Sequence, residues 1–415
     1  GSGDCRKTEH AHGTMCPSYH ATKNEKDTTR ARANALREVL SNSNAENKFD
    51  SQSLKEVFNL CIGCKACASE CPSNVDMATA KMEFLYNYRK ANGFNFSEYL
   101  FAHSSWLNKW GAKVPALVNY LYQNLVTARL IKNLSGISPE RTLPSLSTIK
   151  LNSKSYSVEN KLDRLKTIYL FVDEFSEYLE AQIAQDAIDL LIGLGYEVVV
   201  IDHLDSARAL LSKGYLREAK KHVNRNIAYL KSKISEETPL LGLEPSAILG
   251  FRDEYLRLAS DRETAEKVAK NCLLIEEFIA AQYLEGNINA SHFTSEAKNL
   301  KIHVHCHQKA LSNQKATFDM LNIPTNYKPT IMTTGCCGMA GSFGYEAEHY
   351  EVSMAIGELK LFPAVRKIAA ENIIVANGTS CRQQIKDGTN RMALHPVTIL
   401  RRAMVQTAAQ SAPAL

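Results

Sequence analysis

Between Cys71 and Cys272 the 415-residue chain has no cysteine, although it has eleven in all. Six lie within the first 71 residues, and four of the last five fall between Cys306 and Cys381. So sparse and clustered a set is no disulfide scaffold; in a chain read as cytoplasmic, it favours metal ligation. No apolar run reaches the length that spans a bilayer. No N-terminal segment combines the basic, apolar and small-residue parts of a secretory leader. The chain opens at Gly1-Ser2-Gly3 without Met, as an expression scar or a cut from a longer protein would leave it. Charge of either sign is not in excess: 49 Lys and Arg against 44 Asp and Glu leave +5. Without a basic run or a basic stripe interleaved with aromatics, nucleic acid is excluded as a partner.

What is present is ordinary globular composition, 45% hydrophobic and 22% charged. Residues 28–42 read as a helix, Asp50-Ser51 as the cap of a short helix through Phe58, and Val75–Lys90 as another. Residues 97–134 read as one or two amphipathic helices carrying Trp106 and Trp110. These tryptophans are read as helix packing, with a membrane or quinone contact as the second reading. Pro139, Pro144 and the Ser/Lys-rich stretch 145–160 mark a linker.

Beyond it the pattern changes. Thr167–Val172, Tyr196–Ile201, Leu240–Leu243, Lys301–His305, 330–333 and Ile373–Ala376 read as strands. Helical pattern fills 180–193, 206–234, 261–286, 313–321, 346–370 and 396–409. Alternating strands and helices predict α/β units with parallel pairing. TIYLFVDEF resembles KIHVHCHQK in position, Leu204–Ala207 parallels Gly335–Gly338, and Glu244–Ala247 parallels Gly378–Cys381. An internal duplication is therefore expected, with a first copy that has lost the cysteines of the motif positions. The predicted fold is α+β and multidomain: a helical iron–sulfur domain over 1–135, a linker over 136–165, and α/β repeats over 166–290 and 291–415.

The run Cys61-x-x-Cys64-x-x-Cys67-x-x-x-Cys71-Pro72 has the spacing of bacterial ferredoxins. Two-residue gaps let one loop wrap a [4Fe–4S] cube with three thiolates, and the fourth cysteine of such a run reaches a neighbouring cluster. Pro72 stops the loop from continuing as helix. Zinc or chance are the plainer readings of such a run. In a two-cluster layout Cys16 closes the cluster of Cys61, Cys64 and Cys67, and Cys71 joins one built around Cys5. Ser2 stands where that second motif needs a cysteine. With a single cluster, Cys71 is the alternative fourth ligand.

Cys306, the Cys336-Cys337-Gly338 triplet and Cys381 each sit near a predicted strand end or turn, where α/β folds collect ligands. A metal or cluster site is expected there, with His307 as the nearest histidine ligand. His349 and His395 are looser candidates. His303 and His305 read as core or surface residues, Cys272 as a structural thiol, and a redox-active thiol pair is the minority reading of the site. Lys309, Arg366 and Arg382 have the chemistry to hold a carboxylate, the plain reading of each being an ion pair.

Together these residues resemble one family. Cys5-Arg6-Lys7, Gly13-Thr14-Met15-Cys16-Pro17-Ser18-Tyr19, the Cys61–Pro72 run, Cys306-His307-Gln308-Lys309-Ala310, Gly335–Glu346 and Gly378–Ile385 look like the C-terminal half of bacterial FAD/FeS oxidases of the D-lactate and D-2-hydroxyglutarate dehydrogenase type. Similar modules form the iron–sulfur subunits of glycolate oxidase and anaerobic glycerol-3-phosphate dehydrogenase, and the cysteine-rich CCG module is shared with heterodisulfide reductase. The resemblance implies an oxidoreductase part that is inactive alone, with FAD on a domain or subunit outside this sequence. It implies electron transfer from flavin through Fe–S to a quinone or cytochrome-type acceptor, in the cytoplasm or against the inner face of the membrane. The alternative is that the CCG metal site itself binds substrate or performs thiol–disulfide chemistry. Gln384 stands where the family pattern ends in a further cysteine, so four thiolates remain at that site rather than five.

Overall fold

The computed structural model describes residues 2–8, 13–93, 95–151, 154–157, 166–202 and 205–405. Leu204 of the repeat comparison, part of the expected linker (152–153 and 158–165) and residues 406–409 of the last expected helix lie outside these ranges.

The first third is helical, and its helices start where the sequence supplies caps. In chain order they are α1 (Pro17–Thr22), α2 (Thr29–Asn42), α3 (Gln52–Asn59), α4 (Ala66–Glu70), α5 (Met77–Asn92), α6 (Phe96–Ala102), α7 (Ser104–Gly111), α8 (Pro115–Gln123) and α9 (Leu125–Ser135). Thr28, Ser51 and Asp76 each accept a backbone N–H of the first turn of α2, α3 and α5, satisfying donors that have no partner within the helix. The stretch read as one or two helices is divided into four. Asn95 and Asn124 cap new starts, and Pro115 takes the first position of α8, where its missing N–H costs nothing. Leu54, Phe58, Met77 and Phe84 form the core around the N-terminal cysteines, with the Phe58 and Phe84 rings stacked at 5.3 Å.

The remainder holds two sheets. The first contains β1 (Ser155–Tyr156), β2 (Thr167–Phe171), β3 (Glu197–Val200), β4 (Leu240–Gly242) and β5 (Cys272–Leu274) in the order β1-β3-β2-β4-β5, antiparallel only at β1. The second contains β6 (Lys298–His303), β7 (Tyr327–Ile331), β8 (Ile373–Ala376) and β9 (Ala393–Leu394) in the order β7-β6-β8-β9, all parallel. Leaving β1 aside, the two orders are the same. Ile168, Leu170 and Val198 of the first sheet share one core with Leu300, Ile302 and Val375 of the second.

Several boundaries differ from the sequence reading. The expected helix 261–286 is interrupted by β5, because the apolar triplet Cys272–Leu274 pairs in register with Leu240–Gly242. A pairing partner thirty residues away overrides the helical periodicity. β7 starts three residues earlier than expected and includes Pro329, which is tolerated because β7 is an edge strand. The expected helix 346–370 becomes helices Tyr350–Leu359 and Leu361–Arg366, broken at Lys360. Pro363 sits in the first turn of the second helix, where its N–H is not needed.

The helical part docks on the strand-end side of the sheets. Lys65, buried, pairs with Asp253 and Glu254. Arg141, also buried, donates to the Gly344 carbonyl at 2.6 Å and pairs with Asp387 at 3.0 Å. No helix among the described residues is long and apolar enough to cross a membrane.

Candidate metal centres

The loop after α3 carries Cys61 and Cys64, and Lys65 turns the chain through a left-handed conformation (φ +60°) into α4, which carries Cys67. Cys16 arrives from the other side, just before α1. Cys16, Cys61, Cys64 and Cys67 line one cavity, together with Arg32, Gly63 and Met77. Cys71 does not line it. It ends α4, four residues after Cys67, and one helical turn advances about 5.4 Å along the axis. Cys5 and Cys71 belong to the surrounding core, Cys5 buried and Cys71 partly exposed. These two thiols make half of a four-thiolate set.

The cavity is built to hold sulfur anions. Arg32, fully buried, points Nη1 at the Cys16 Sγ (3.7 Å), while Nη2 donates to Ser18 Oγ and Nε to the Val57 carbonyl. Thr29 Oγ1 lies 3.2 Å from the same sulfur. The Met77 N–H donates to Cys67 Sγ at 3.4 Å. Lys81 donates to the carbonyls of Cys61 (2.5 Å) and Asn59 (3.3 Å). Glu70 accepts the N–H groups of Thr14 and Met15, which fixes the segment that presents Cys16.

Crowding decides the protonation. Burial pushes the Cys67 thiol up to about 12, against the help of the Met77 N–H. Burial also raises Cys64, and the neighbouring Cys306, Cys67 and Cys16 sulfurs raise it further. Burial raises Cys16, opposed by Arg32 and Thr29. Burial lowers Lys81 to about 8, while Cys61 acts in the opposite direction. Thiols that resist ionisation beside poised cations are what a metal-binding site presents before the metal displaces the protons.

The second group lies at the C-terminal ends of β6, β7 and β8. Cys306 opens helix Cys306–Leu311, Cys336 and Cys337 follow β7, and Cys381 lies in the first turn of helix Thr379–Thr389. All four are buried. The sulfurs form a connected chain in which Cys336 contacts Cys306 and Cys337, and Cys337 contacts Cys381. Cys337 is the acceptor of the network: hydrogen bonds from Cys336 and Cys381 hold its thiol well below the usual range despite burial. Gly338 follows with φ +91°, and a side chain there would meet the Ser353 carbonyl, so the Cys-Cys-Gly turn requires glycine.

His303, rather than the expected His307, stands with these thiols. Ligand atoms of His303, Cys337 and Cys381 all lie within 4.8 Å of one another. Thr334 Oγ1 engages His303 Nδ1 at 2.7 Å, and the buried Nε2 has no hydrogen-bond partner among the described residues. Burial lowers the His303 pKa and keeps the ring neutral, the form that ligates metals. The strand expected through His305 stops at His303, and a helix starts at Cys306, so His303 stands at the strand end beside the thiols. His305 caps that helix by accepting the His307 N–H, and the His307 ring donates Nε2–H to the Gly63 carbonyl at 3.2 Å.

His349 lies away from the thiols, stacked on Phe343 and bonded to Asn59. His395 caps helix Pro396–Ala403 and reaches the Leu243 carbonyl. The three basic residues considered for carboxylate binding are all engaged. Arg382 pairs with Glu180, Arg366 with Glu358, and Lys309 donates to the carbonyls of Thr334 and Gly335 just ahead of Cys336. Cys272 is fully buried in the first sheet's core, donating to the Val268 carbonyl. Arg32 and Lys81 were invisible as site residues in the sequence, because isolated cations on helices carry no motif, and Lys65 is one of the residues between cysteines that the spacing leaves unspecified.

A family model described as a 4Fe-4S dicluster domain matches residues 1–76, which supports an iron–sulfur cofactor. The chain is 27% identical over 444 residues to D-2-hydroxyglutarate dehydrogenase of Escherichia coli K12, covering 96% of this chain and 43% of that protein. It is 24% identical over 441 residues to the enzyme of the same name from Pseudomonas putida KT2440, covering 96% and 42%. It is 23% identical over 314 residues to a subunit of anaerobic glycerol-3-phosphate dehydrogenase from E. coli K12, covering 74% of this chain and 76% of that one. The chain thus spans less than half the length of the D-2-hydroxyglutarate dehydrogenases it matches. No solved structure matches it.

Proposed function

We propose that this chain is the iron–sulfur electron-transfer part of an FAD-linked D-2-hydroxyacid dehydrogenase. Cys16, Cys61, Cys64 and Cys67 would hold one [4Fe–4S] cluster, which supplies one-electron transfer between a flavin and a later acceptor. The flavin resides on a domain or subunit outside this sequence, and the acceptor is a quinone or cytochrome-type carrier. The observation that carries the reading is the four-thiol cavity, whose donor set and number suit a cubane cluster.

The chain's own residues bind and insulate. Met77 N–H, Thr29 and Arg32 direct donors or charge at the ligand sulfurs, and such hydrogen bonds set reduction potential. The Phe58/Phe84 core keeps water from the N-terminal thiols. Division into a helical domain over 1–135, a linker over 136–165 and repeats over 166–290 and 291–415 is part of this proposal. The two repeats are read as duplicated CCG modules, supported by the shared strand order. In the first copy Glu174 opens the helix after β2, as Cys306 does after β6, and accepts hydrogen bonds from Ser206.

The second cysteine group favours a companion reading. Cys306, Cys336, Cys337, Cys381 and His303 form a mixed sulfur and nitrogen donor set that suits zinc or iron. A metal there would act in substrate binding or thiol chemistry in its own right.

Iron, sulfide and zinc content of anaerobically purified chain, with EPR before and after dithionite, tests both readings. About four iron and four sulfide with a reduced-state signal is the expected result for one cluster. Additional metal would occupy the second group or the site of Cys5 and Cys71. Zinc without iron or sulfide would overturn the electron-transfer reading.

A further inference from the structure

The turn that follows the Cys-Cys-Gly loop gathers three candidate ligands outside both thiol groups. One ligand atom each from Glu346, Glu348 and His349 lies within 4.8 Å of the other two. His349 and Glu346 are buried, while the Glu348 side chain is 67% exposed and free to change rotamer. The His349 N–H donates to the Glu346 carbonyl at 3.0 Å, which closes the turn ahead of helix Tyr350–Leu359. Neighbouring glutamates are common without any ligand, so the histidine decides what this turn is.

The His349 ring is fixed on two sides. It stacks on Phe343 with centroids 4.3 Å apart, and its Nε2–H donates to Asn59 Oδ1 at 3.0 Å. Nδ1 then carries the lone pair. It lies 3.2 Å from Glu346 Oε2, yet it is buried and has no hydrogen-bond partner among the described residues. The plain reading is an ion-pair chain from Lys213 through Glu346 to a protonated ring. That reading accounts for Glu346 Oε1, which accepts from Lys213 and from Ser342. It does not account for the Nδ1 contact, which lacks hydrogen-bond geometry. Two acceptors face each other there at the separation of two donors on one ion, about 3 Å for bonds of about 2.0–2.2 Å. An orienting hydrogen bond from the opposite ring nitrogen is also what metal-ligating histidines have.

We propose that His349 Nδ1, Glu346 Oε2 and the Glu348 carboxylate bind one divalent metal ion of the class that prefers oxygen and imidazole donors, of which manganese is the representative, with water completing its shell. The donor set holds no sulfur, and the softer thiol groups select zinc or iron–sulfur instead. The ion ties three parts of the chain together. They are the turn itself, Lys213 through its bond to Glu346, and Asn59 at the end of α3, two residues before Cys61. It therefore clamps the helical part against the sheets beside the first centre. The inference goes beyond the electron-transfer reading and does not depend on which metal the thiols hold.

The test is titration of the full 415-residue chain with manganese(II) alone, the free ion being counted by its EPR signal and the fold followed by the thermal midpoint. A single ion per chain should bind and raise the midpoint. Glu348→Gln changes an exposed side chain, so folding should be spared, and binding should weaken by about tenfold or more, the order seen for metal-site residues. His349→Gln should weaken it at least as much, and manganese should no longer raise the midpoint of either variant. Glu296→Gln, which alters an equally exposed glutamate elsewhere, should bind as the unaltered chain does. No binding to the unaltered chain, or binding undiminished in Glu348→Gln, would overturn the proposal. So would an equal loss in Glu296→Gln, which would assign the ion to diffuse surface charge.

Discussion

Cys64 of the ferredoxin-type run packs against the buried cluster formed by Cys306, Cys336 and Ile356. Two cysteine groups separated by some 240 residues of sequence are therefore neighbours, joined also by the hydrogen bond from His307 to the Gly63 carbonyl. What happens at one group is felt at the other, and the sulfurs already raise each other's affinity for protons.

The first prediction separates Cys16 from Cys71. Cys16→Ser should lower iron at the first centre severely, whereas Cys71→Ser should leave a near-normal reduced EPR signal. Equal loss in both variants would place Cys71 among the ligands.

Arg32 and Lys81 should set the potential of that centre. Positive charge near a centre that gains an electron favours the reduced state, so Arg32→Lys, which gives up the directed guanidinium, and Lys81→Met, which removes a charge, should each shift the midpoint downward. An EPR-monitored redox titration reads this, with iron content as the control. A midpoint unmoved in both variants would show that these cations serve packing alone.

At the second group, His303→Ala and Cys337→Ser should each lose the metal found there, by 10-fold or more in affinity on the order seen for metal-site residues. His307→Gln should retain it, because its ring is turned to Gly63. Metal content of the three variants decides whether His303 ligates.

Lys65 anchors the first centre to the sheets. Removing it leaves Asp253 with Arg257 and Glu254 with Arg208 as their remaining cations, so the cost should fall below the roughly 3–5 kcal/mol of a buried pair broken outright. Lys65→Met should lower the thermal midpoint measurably, and an unchanged midpoint would show that the two arginines suffice.

The first sheet carries a pH dependence of its own. Burial raises Glu174 to about 8, and Asp205 and Asp173 add to it. Burial likewise raises Asp173 to about 6 and Glu276 to about 7. A carboxyl that keeps its proton in the folded state and loses it when unfolded binds more protons folded, so stability falls as pH rises through this window. Between pH 6 and pH 8 the chain should lose stability on the order of a few kcal/mol at most. Glu174→Gln should flatten that slope in denaturation curves measured across the range. A slope unchanged in the variant would assign the effect to other groups.

The sequence by itself determined the chemistry. Spacing within Cys61–Cys67 is local, since two-residue gaps dictate a wrapping loop wherever the chain lies. The helix start at Ser51 was legible for the same reason, because a cap acts within one turn, whereas the helices read from residues 28 and 75 begin at Thr29 and Met77. The strand Ile373–Ala376 was legible because its apolar run is short and bounded. Tertiary structure alone decided membership. Cys16 enters the first cavity because Glu70 and Arg32 hold its segment there, and Cys71 is carried away by a turn of α4. His303 joins the second group because β6 stops there, two residues short of the expected strand end. β5 exists only because β4 offers it a partner. In each case the deciding interaction joins residues far apart in sequence, and local patterning carries no record of which distant group will satisfy a buried sulfur, nitrogen or backbone amide.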